Sequence, residues 1–250
     1  MVVVVAACGN DGKDGVLPNG DASMNTVDAF VDPFRDAPAT STVEVTVSGR
    51  ATAPMTTGSE PLAGVTITAY RNADESTALA TTTTDANGDY SITVQTMGES
   101  IDGYLKATRA GYLDTYLYPP YPLTMDYANA SILMIDEDTR DTLSNLAQGN
   151  QLPGEGLVGL VVTNGTAPIS GAMVTSTPAA PGMTKYNAPV GNVSLPSSTA
   201  TSTNTDGVAY IFKAPLGQLT VGGSHPTTTL AAHGLKVRAD VLTTTVLVPL

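Results

Sequence analysis

Two histidines are the only ones in the chain, and neither has the sequence surroundings of a catalytic base. His225 precedes a proline in a Ser/Thr-rich segment, and His233 precedes a glycine before an apolar run. Nucleophilic catalysis needs a nucleophile beside an oriented base. Neither histidine begins a His-x-x-Glu zinc motif, and glycine-rich phosphate loops and a Gly-x-Ser-x-Gly elbow are missing from the sequence. We therefore expect a protein that is not an enzyme and that needs no cofactor.

A trio of oxygen-bearing side chains has the spacing of the first half of a calcium loop. Asp85, Asn87 and Asp89 alternate along the chain, but such a loop also needs Gly at its sixth position and Glu at its twelfth. Those positions hold Tyr90 and Thr96 here. The Asn-Gly pair instead predicts a tight β-hairpin whose polar side chains bond to turn amides. Residues 10–15 also lack a complete set of calcium ligands, so we expect no metal site.

Five tyrosines lie close together around a proline-rich segment at 119–122. A tyrosine ring packs on apolar CH surfaces while its hydroxyl bonds to polar groups. Exposed together, these residues could bind a glycan or a proline-rich peptide. They could equally supply core and edge packing, since the chain has no Trp and 3 Phe. The tyrosines of this candidate ligand surface are Tyr112, Tyr116, Tyr118, Tyr121 and Tyr127.

The single cysteine, Cys8, follows an apolar run and two alanines. One cysteine excludes an internal disulfide and a cysteine-based zinc site. The segment Val-Ala-Ala-Cys at 5–8 resembles the lipobox of bacterial lipoproteins, in which the cysteine is lipidated and becomes the new N-terminus. The apolar run is shorter than a usual signal-peptide core and lacks a preceding positive charge. Residues 1–8 are therefore predicted to be the end of a truncated signal peptide.

Charge and composition narrow the classes of partner. The formal net charge of −12 repels phosphate backbones, and there is no basic stripe, so we expect no nucleic-acid binding. Acidic residues concentrate near the N-terminus, where residues 9–42 have little apolar periodicity and are predicted to form a disordered acidic tether. Only 14% of residues are charged, and 24 Gly and 17 Pro favour short strands with many turns.

A pattern that occurs twice predicts the architecture. Pro-x-x-Gly before a strand, followed by a turn with Asp and Gly, appears at 61–67 with 84–92, and again at 168–174 with 203–210. Alternating apolar residues around these motifs predict about seven short strands in each copy, as in an antiparallel sandwich. Acidic residues, two leucines and Gly149 predict one helix over 136–149 between the copies.

The first copy resembles the carboxypeptidase regulatory-like domain. The resemblance rests on the motif at 61–67, the turn at 84–92 and a late Gly111-Tyr112; it covers most of 43–135 and is looser after 155. It implies an all-β fold: two tandem Greek-key, transthyretin-like or Ig-like β-sandwiches. We place them at 43–135 and 155–250, joined by a helical connector at 136–154 and preceded by the tether.

These observations together predict a non-enzymatic lipoprotein of the bacterial cell envelope. Lipidated Cys8 would hold it on a membrane, in the outer membrane or at the cell surface, and its sandwiches would act as spacer, scaffold or interaction surface. The partner would be an envelope protein or a glycan. The alternative is a carbohydrate- or peptide-binding module that uses the five tyrosines. An enzyme with an unfamiliar site remains a third hypothesis, because fold does not fix function.

Overall fold

The computed structural model describes residues 43–55, 58–180, 183–191 and 193–250. Cys8, the predicted signal segment and the predicted tether lie outside these residues. The described chain is nearly all β, with one helix, which confirms the predicted fold class. The first-half strands are β1 (Glu44–Pro54), β2 (Ser59–Pro61), β3 (Thr66–Arg71), β4 (Asp74–Thr83), β5 (Asp89–Gln95), β6 (Gly103–Thr108), β7 (Thr115–Tyr118) and β8 (Ile132–Leu133).

The second half begins after helix α1 (Glu137–Ala147). Its strands are β9 (Gly156–Val162), β10 (Met173–Thr177), β11 (Thr184–Val190), β12 (Val193–Ser197), β13 (Val208–Ala214), β14 (Gly217–Ser224), β15 (His233–Val237) and β16 (Leu242–Leu247). The described strands form three sheets. One has the order β2-β1-β5 with β8 beside β1, another has the order β10-β14-β15, and a nine-stranded sheet has the order β12-β11-β13-β9-β16-β7-β6-β3-β4.

A buried threonine ties the Pro-x-x-Gly motif to the turn in the first half. The Thr84 hydroxyl donates to the Leu62 carbonyl at 2.6 Å and accepts from the Val65 amide at 2.9 Å. Both hydrogen bonds are buried, so separating the Pro-x-x-Gly motif from Thr84 would leave buried polar groups unpaired, which is costly. The threonine therefore holds the start of β3 next to the end of β4.

The second half repeats this arrangement with different residues. The Thr203 hydroxyl donates to the Ile169 carbonyl at 2.8 Å and accepts from the Ala172 amide at 3.0 Å. The repeated motif in the sequence thus corresponds to a repeated set of hydrogen bonds.

The turn glycines also correspond between the halves. The Gly88 carbonyl accepts from the Ala51 amide, and the Gly207 carbonyl accepts from the Val162 amide, both at 2.8 Å. A Cβ added to Gly88 would lie 2.6 Å from the Ala51 oxygen, and one added to Gly207 would lie 2.5 Å from the Val162 oxygen. Both glycines have positive φ, so each position needs glycine for its space and its backbone conformation. By this correspondence β1 matches β9, and β5 matches β13.

The predicted hairpin at 85–90 is wrong, although the turn itself is present. β4 pairs with β3, whereas β5 pairs with β1 in the other sheet, so the turn crosses from one layer of the sandwich to the other. The Asp85 carboxylate accepts from the amides of Asn87 and Asp89 at 2.8 and 2.9 Å. Such local bonding specifies a tight reversal but not which strand each flanking segment pairs with.

The last strand joins the two halves. β16 pairs in parallel with β9 on one side and with β7 on the other, so that Leu242 lies between Leu157 and Thr115. One sheet of the first sandwich and one sheet of the second thereby become the single nine-stranded sheet. The sequence predicts a helical connector between two tandem sandwiches but gives no signal for this shared sheet.

The helix packs against a face of the shared sheet. Its N-cap, Asp136, accepts from the Thr139 amide at 2.7 Å, as the acidic start predicts. Leu143 and Ala147 are buried in a cluster with Tyr210 and Phe212 of β13. The predicted helix is confirmed, and its apolar side covers the sheet next to the junction.

Candidate functional site at the junction of the two halves

An arginine from the second half inserts among tyrosines of the first. Arg238 follows β15, and its guanidinium carbon lies 4.1 Å from the ring centroid of Tyr116 and 4.9 Å from that of Tyr104. Its Nη1 donates to the Tyr118 hydroxyl at 3.1 Å, and its Nη2 lies 3.2 Å from Oε2 of Glu75. The cation is therefore held by two ring faces, a hydroxyl and a carboxylate, all from the other half.

The tyrosines are positioned by the strand register of the first half. Tyr70 of β3 lies opposite Tyr104 of β6, and their rings stack at 5.5 Å between centroids. Tyr116 and Tyr118 of β7 lie 5.5 and 5.2 Å from Tyr104. Tyr104, Tyr116 and Tyr118 belong to the hydrophobic core of the second half. Burial raises the pKa of Tyr104 to about 12 and also raises the pKa of Tyr118, so both rings remain neutral phenols near neutral pH.

Glu75 binds two cations of the second half at once. Besides Arg238, it pairs with Lys236, whose Nζ lies 2.8 Å from Oε1. The hydrogen bond from Lys236 holds the pKa of Glu75 below its usual value, so the carboxylate remains charged. The cluster therefore holds the two halves together, because its cations, carboxylate and aromatic rings already contact one another.

The two histidines lie in different surroundings. His225 has Nε2 3.1 Å from the Ser170 carbonyl of another loop and Nδ1 3.3 Å from the Thr227 hydroxyl of its own loop. The His233 ring lies 6.5 Å from the Tyr118 ring, and burial lowers the pKa of His233. His225 thus links two loops, whereas His233 is the first residue of β15 and its Nε2 is buried without a hydrogen-bond partner in the described structure.

Two grooves flank the junction in the part of the chain that the structure describes. One, of about 470 Å³, is polar and is lined by Glu75, Asp102, His233 and Lys236 among others. The second, also of about 470 Å³, is lined by residues 120–128 of the first half and by residues of the second half that include Val246 and Val248. The second groove is more apolar than the first.

The five predicted tyrosines do not form one exposed strip. Tyr116 and Tyr118 are buried beside Arg238, whereas Tyr112 is half-buried with the Arg109 guanidinium 5.3 Å from its ring. Tyr121 is 55% exposed and lines the apolar groove together with half-buried Tyr127. Core packing, the alternative use of these residues, accounts for Tyr116 and Tyr118; ligand binding by Tyr121 and Tyr127 stays a prediction.

Four residues of the cluster are not among the site residues predicted from the sequence: Tyr70, Tyr104, Glu75 and Arg238. A signal was present at Tyr104, because Tyr104 and Leu105 are adjacent apolar residues in a strand, and both are buried. Such a break in alternation indicates a strand covered on both faces. Glu75 and Arg238 give no comparable signal, since single charges in loops and edge strands are usually solvated.

Two further findings concern metals and membranes. Within the described ranges, no group of three or more His, Cys, Asp or Glu side chains could hold a metal ion. The helix of the described chain is too short and too polar to span a membrane.

Comparison with known proteins reveals distant likenesses in structure alone. No family model and no curated protein matches the chain, so the resemblance drawn from the motifs stays a prediction. The shaft pilin SpaA of Lactobacillus rhamnosus GG aligns at 14% identity and a TM-score of 0.26, over 83% of this chain and 98% of that one. The Bacillus anthracis TIE protein aligns at 14% and 0.24, over 80% of this chain and 33% of that one.

A minor pilin of Streptococcus agalactiae aligns at 10% identity and a TM-score of 0.25, over 82% of this chain and 96% of that one. At such low TM-scores these likenesses carry no argument about relationship or role. The described part of the chain is nearly all β, and its two halves share one sheet.

Proposed function

We propose that the chain is a non-enzymatic protein of the bacterial cell envelope whose fused repeats act as a spacer or scaffold. The observation that carries the proposal is β16, which pairs with a strand of each half. A hinge between sandwiches would let them move independently, whereas backbone hydrogen bonds and the Arg238 cluster oppose such motion. A stiff unit of two repeats suits a part that separates or presents other components.

Mechanical unfolding tests the scaffold role. Held at Val43 and Leu250, the 208 residues from 43 to 250 should unfold in one event, with an extension of roughly 700 Å at ~3.4 Å per residue. Two separate events of about half that length, at low force, would contradict a fused scaffold and favour two independent modules.

Membrane attachment through Cys8 is part of the proposal. It is supported by the lipobox-like segment at 5–8. The full-length chain, expressed in a diderm bacterium with a lipoprotein signal peptide placed before Cys8, should incorporate labelled palmitate and enter the envelope fraction. Cys8→Ser should abolish both, because it removes the thiol that carries the lipid. Labelling that persists in Cys8→Ser, or that never occurs, would sink the anchor without affecting the scaffold test.

Recognition of a glycan or peptide is the second candidate function. It is favoured by the apolar groove, where Tyr121 and Met125 are exposed at 55% and 68%. An array of envelope glycans and proline-rich peptides should give a signal that Tyr121→Ala removes and Thr166→Ala, on a neighbouring exposed loop, retains. Silence of the wild-type chain on the array would contradict this function.

A further inference from the structure

Two matching strands of the repeat, β13 and β5, differ in how many neighbouring strands they pair with. In the second half, β13 pairs with β9 on one side and with β11 on the other. The Phe212 amide donates to the Met183 carbonyl at 3.0 Å on the side of β11. In the first half, β5 is the matching strand and pairs with β1, but among the described strands it is the last of its sheet.

The hydrogen bonds of β1 determine which N–H and C=O groups of β5 point away from β1. Thr46 and Ser48 bond to residues 126–130, on the side of β1 away from β5. Antiparallel pairs alternate between bonded and non-bonded. The residues opposite Thr46 and Ser48, which are Thr93 and Ser91, therefore direct their N–H and C=O groups outward, and Gln95 does the same. Thr93 matches Phe212, whose outward amide is bonded.

The outer edge of β5 has the features of a pairing edge. The residues whose backbone groups point outward, Ser91, Thr93 and Gln95, are exposed. The strand contains no proline and no lysine, which are the usual protections of an edge strand. Other edges are shorter, blocked or irregular: β2 has three residues, β10 and β15 have five each, β12 contains Pro196, and the ten-residue β4 pairs with β3 through register shifts.

We propose that β5 pairs antiparallel with β5 of a second copy of this chain, about a two-fold axis at Thr93. This register uses all three outward residues, because Ser91 lies opposite Gln95 and Thr93 lies opposite its own symmetry mate. Ile92 then lies opposite Val94 on the core side, which is a favourable pair of β-branched residues.

The electrostatics of this register are also favourable for two identical chains. Asp89, the acidic residue of the strand, lies opposite Met97 of the second copy and not opposite itself. It is already paired with Arg50 at 2.6 Å. Its backbone N–H and C=O bond to Asp85, which marks the end of the pairing edge. A chain of net charge −12 therefore meets its copy along a strip without unpaired charge.

Charge complementation at Thr93 tests the proposal. The wild-type chain should be a concentration-dependent dimer in sedimentation velocity. Thr93→Lys and Thr93→Glu each place like charges across the axis and should weaken dimerisation by about fivefold or more. Mixing the two variants should restore the dimer, because opposite charges then meet. Thr93 is exposed, so both variants should keep the wild-type circular dichroism.

The matched control uses the other exposed edge of the same sandwich. Thr81→Lys, Thr81→Glu and their mixture change β4 in the same way and should leave the dimer unchanged. A wild-type chain that is monomeric at every concentration would overturn the proposal, as would a dimer insensitive to Thr93 or restored through Thr81. Protection of the Ser91, Thr93 and Gln95 amides from hydrogen exchange in a monomer would also overturn it, since another segment would then cover the edge.

Discussion

At the scale of single residues, Arg238 links the second half to four side chains of the first half. Its side chain is 17% exposed and meets two ring faces, the Tyr118 hydroxyl and Glu75. Lys236 pairs with the same carboxylate, but its side chain is 39% exposed. Cation–aromatic contacts gain strength when desolvated, whereas exposed ion pairs contribute little. Glu75 therefore pairs with one largely buried cation, Arg238, and with one more exposed cation, Lys236.

Replacing each cation measures that difference. Arg238→Leu should lower the free energy of unfolding by about 2 kcal/mol, because the ring contacts and the part-buried hydrogen bond to Tyr118 are lost. Lys236→Met should lower it by less than about 1 kcal/mol. Urea unfolding followed by circular dichroism gives both values. Equal losses would mean that Arg238 acts only as a surface ion pair.

Glycine 88 gives a second prediction at this scale. Gly88→Ala should destabilise the fold by about 3 kcal/mol or more, because its Cβ meets the Ala51 oxygen and its φ is 76°. Gly64→Ala is the matched control: its φ is 73° but nothing lies within 4 Å of the added Cβ, so a loss of about 1 kcal/mol is expected. Thermal unfolding compares the two variants. Similar losses would mean that the contact with the Ala51 oxygen does not add to the cost at Gly88.

At the scale of elements, β16 is the strand that fuses the repeats. Its threonines Thr243, Thr244 and Thr245 are buried, although threonine is a common surface residue. The Thr245 hydroxyl donates to the Tyr118 carbonyl across the junction at 2.9 Å. The Thr243 hydroxyl, in contrast, is buried without a hydrogen-bond partner in the described structure. Neighbouring threonines on one strand therefore differ in what their hydroxyls contribute.

Valine replacements on β16 test this difference while keeping side-chain shape. Thr245→Val should destabilise the protein by about 1 kcal/mol, since the Tyr118 carbonyl loses a donor. Thr243→Val should be neutral or stabilising by up to about 1 kcal/mol, because it removes an unsatisfied buried hydroxyl. Chemical denaturation of the two variants should give opposite or clearly unequal shifts. A larger loss for Thr243→Val would contradict the bonding described for the strand.

The cap of α1 gives a pH-dependent prediction. The hydrogen bond from Thr139 lowers the pKa of Asp136, so the contribution of this carboxylate is present above the unfolded pKa of ~3.9 and is lost as pH falls through the lower folded value. Asp136→Ala should therefore cost about 1 kcal/mol near neutral pH and less at about pH 2.5. Unfolding free energies of variant and wild type at both pH values decide it; a cost that does not fall in acid would contradict the assignment.

Local signals predict the elements well and the pairings poorly. The alternation around Ile67 and Ile92 and the acidic start at Asp136 each predict an element that the structure contains. The turn at Asp85 is also foreseen, but the strands beside it belong to different sheets. The contact of Thr245 with Tyr118 spans 127 residues. Periodicity and turn chemistry act over a few residues, so they cannot specify which distant strand lies beside β7.

At the scale of the whole molecule, the three hydrophobic clusters of the described residues are linked through one sheet. The nine-stranded sheet contributes residues to each cluster, and the second cluster contains tyrosines of the first half. Unfolding one half would expose Tyr104, Tyr116 and Tyr118 and would break the pairing of β7 with β16. The two repeats should therefore unfold together, as single cooperative units do.

Differential scanning calorimetry of residues 43–250 measures this coupling directly. The sheet shared by the two halves predicts one transition whose van't Hoff and calorimetric enthalpies agree. It further predicts that Arg238→Leu lowers the midpoint of that single transition for the whole chain. Two transitions in the wild-type chain, with only one of them shifted by Arg238→Leu, would show that the halves are independent domains and would contradict the account.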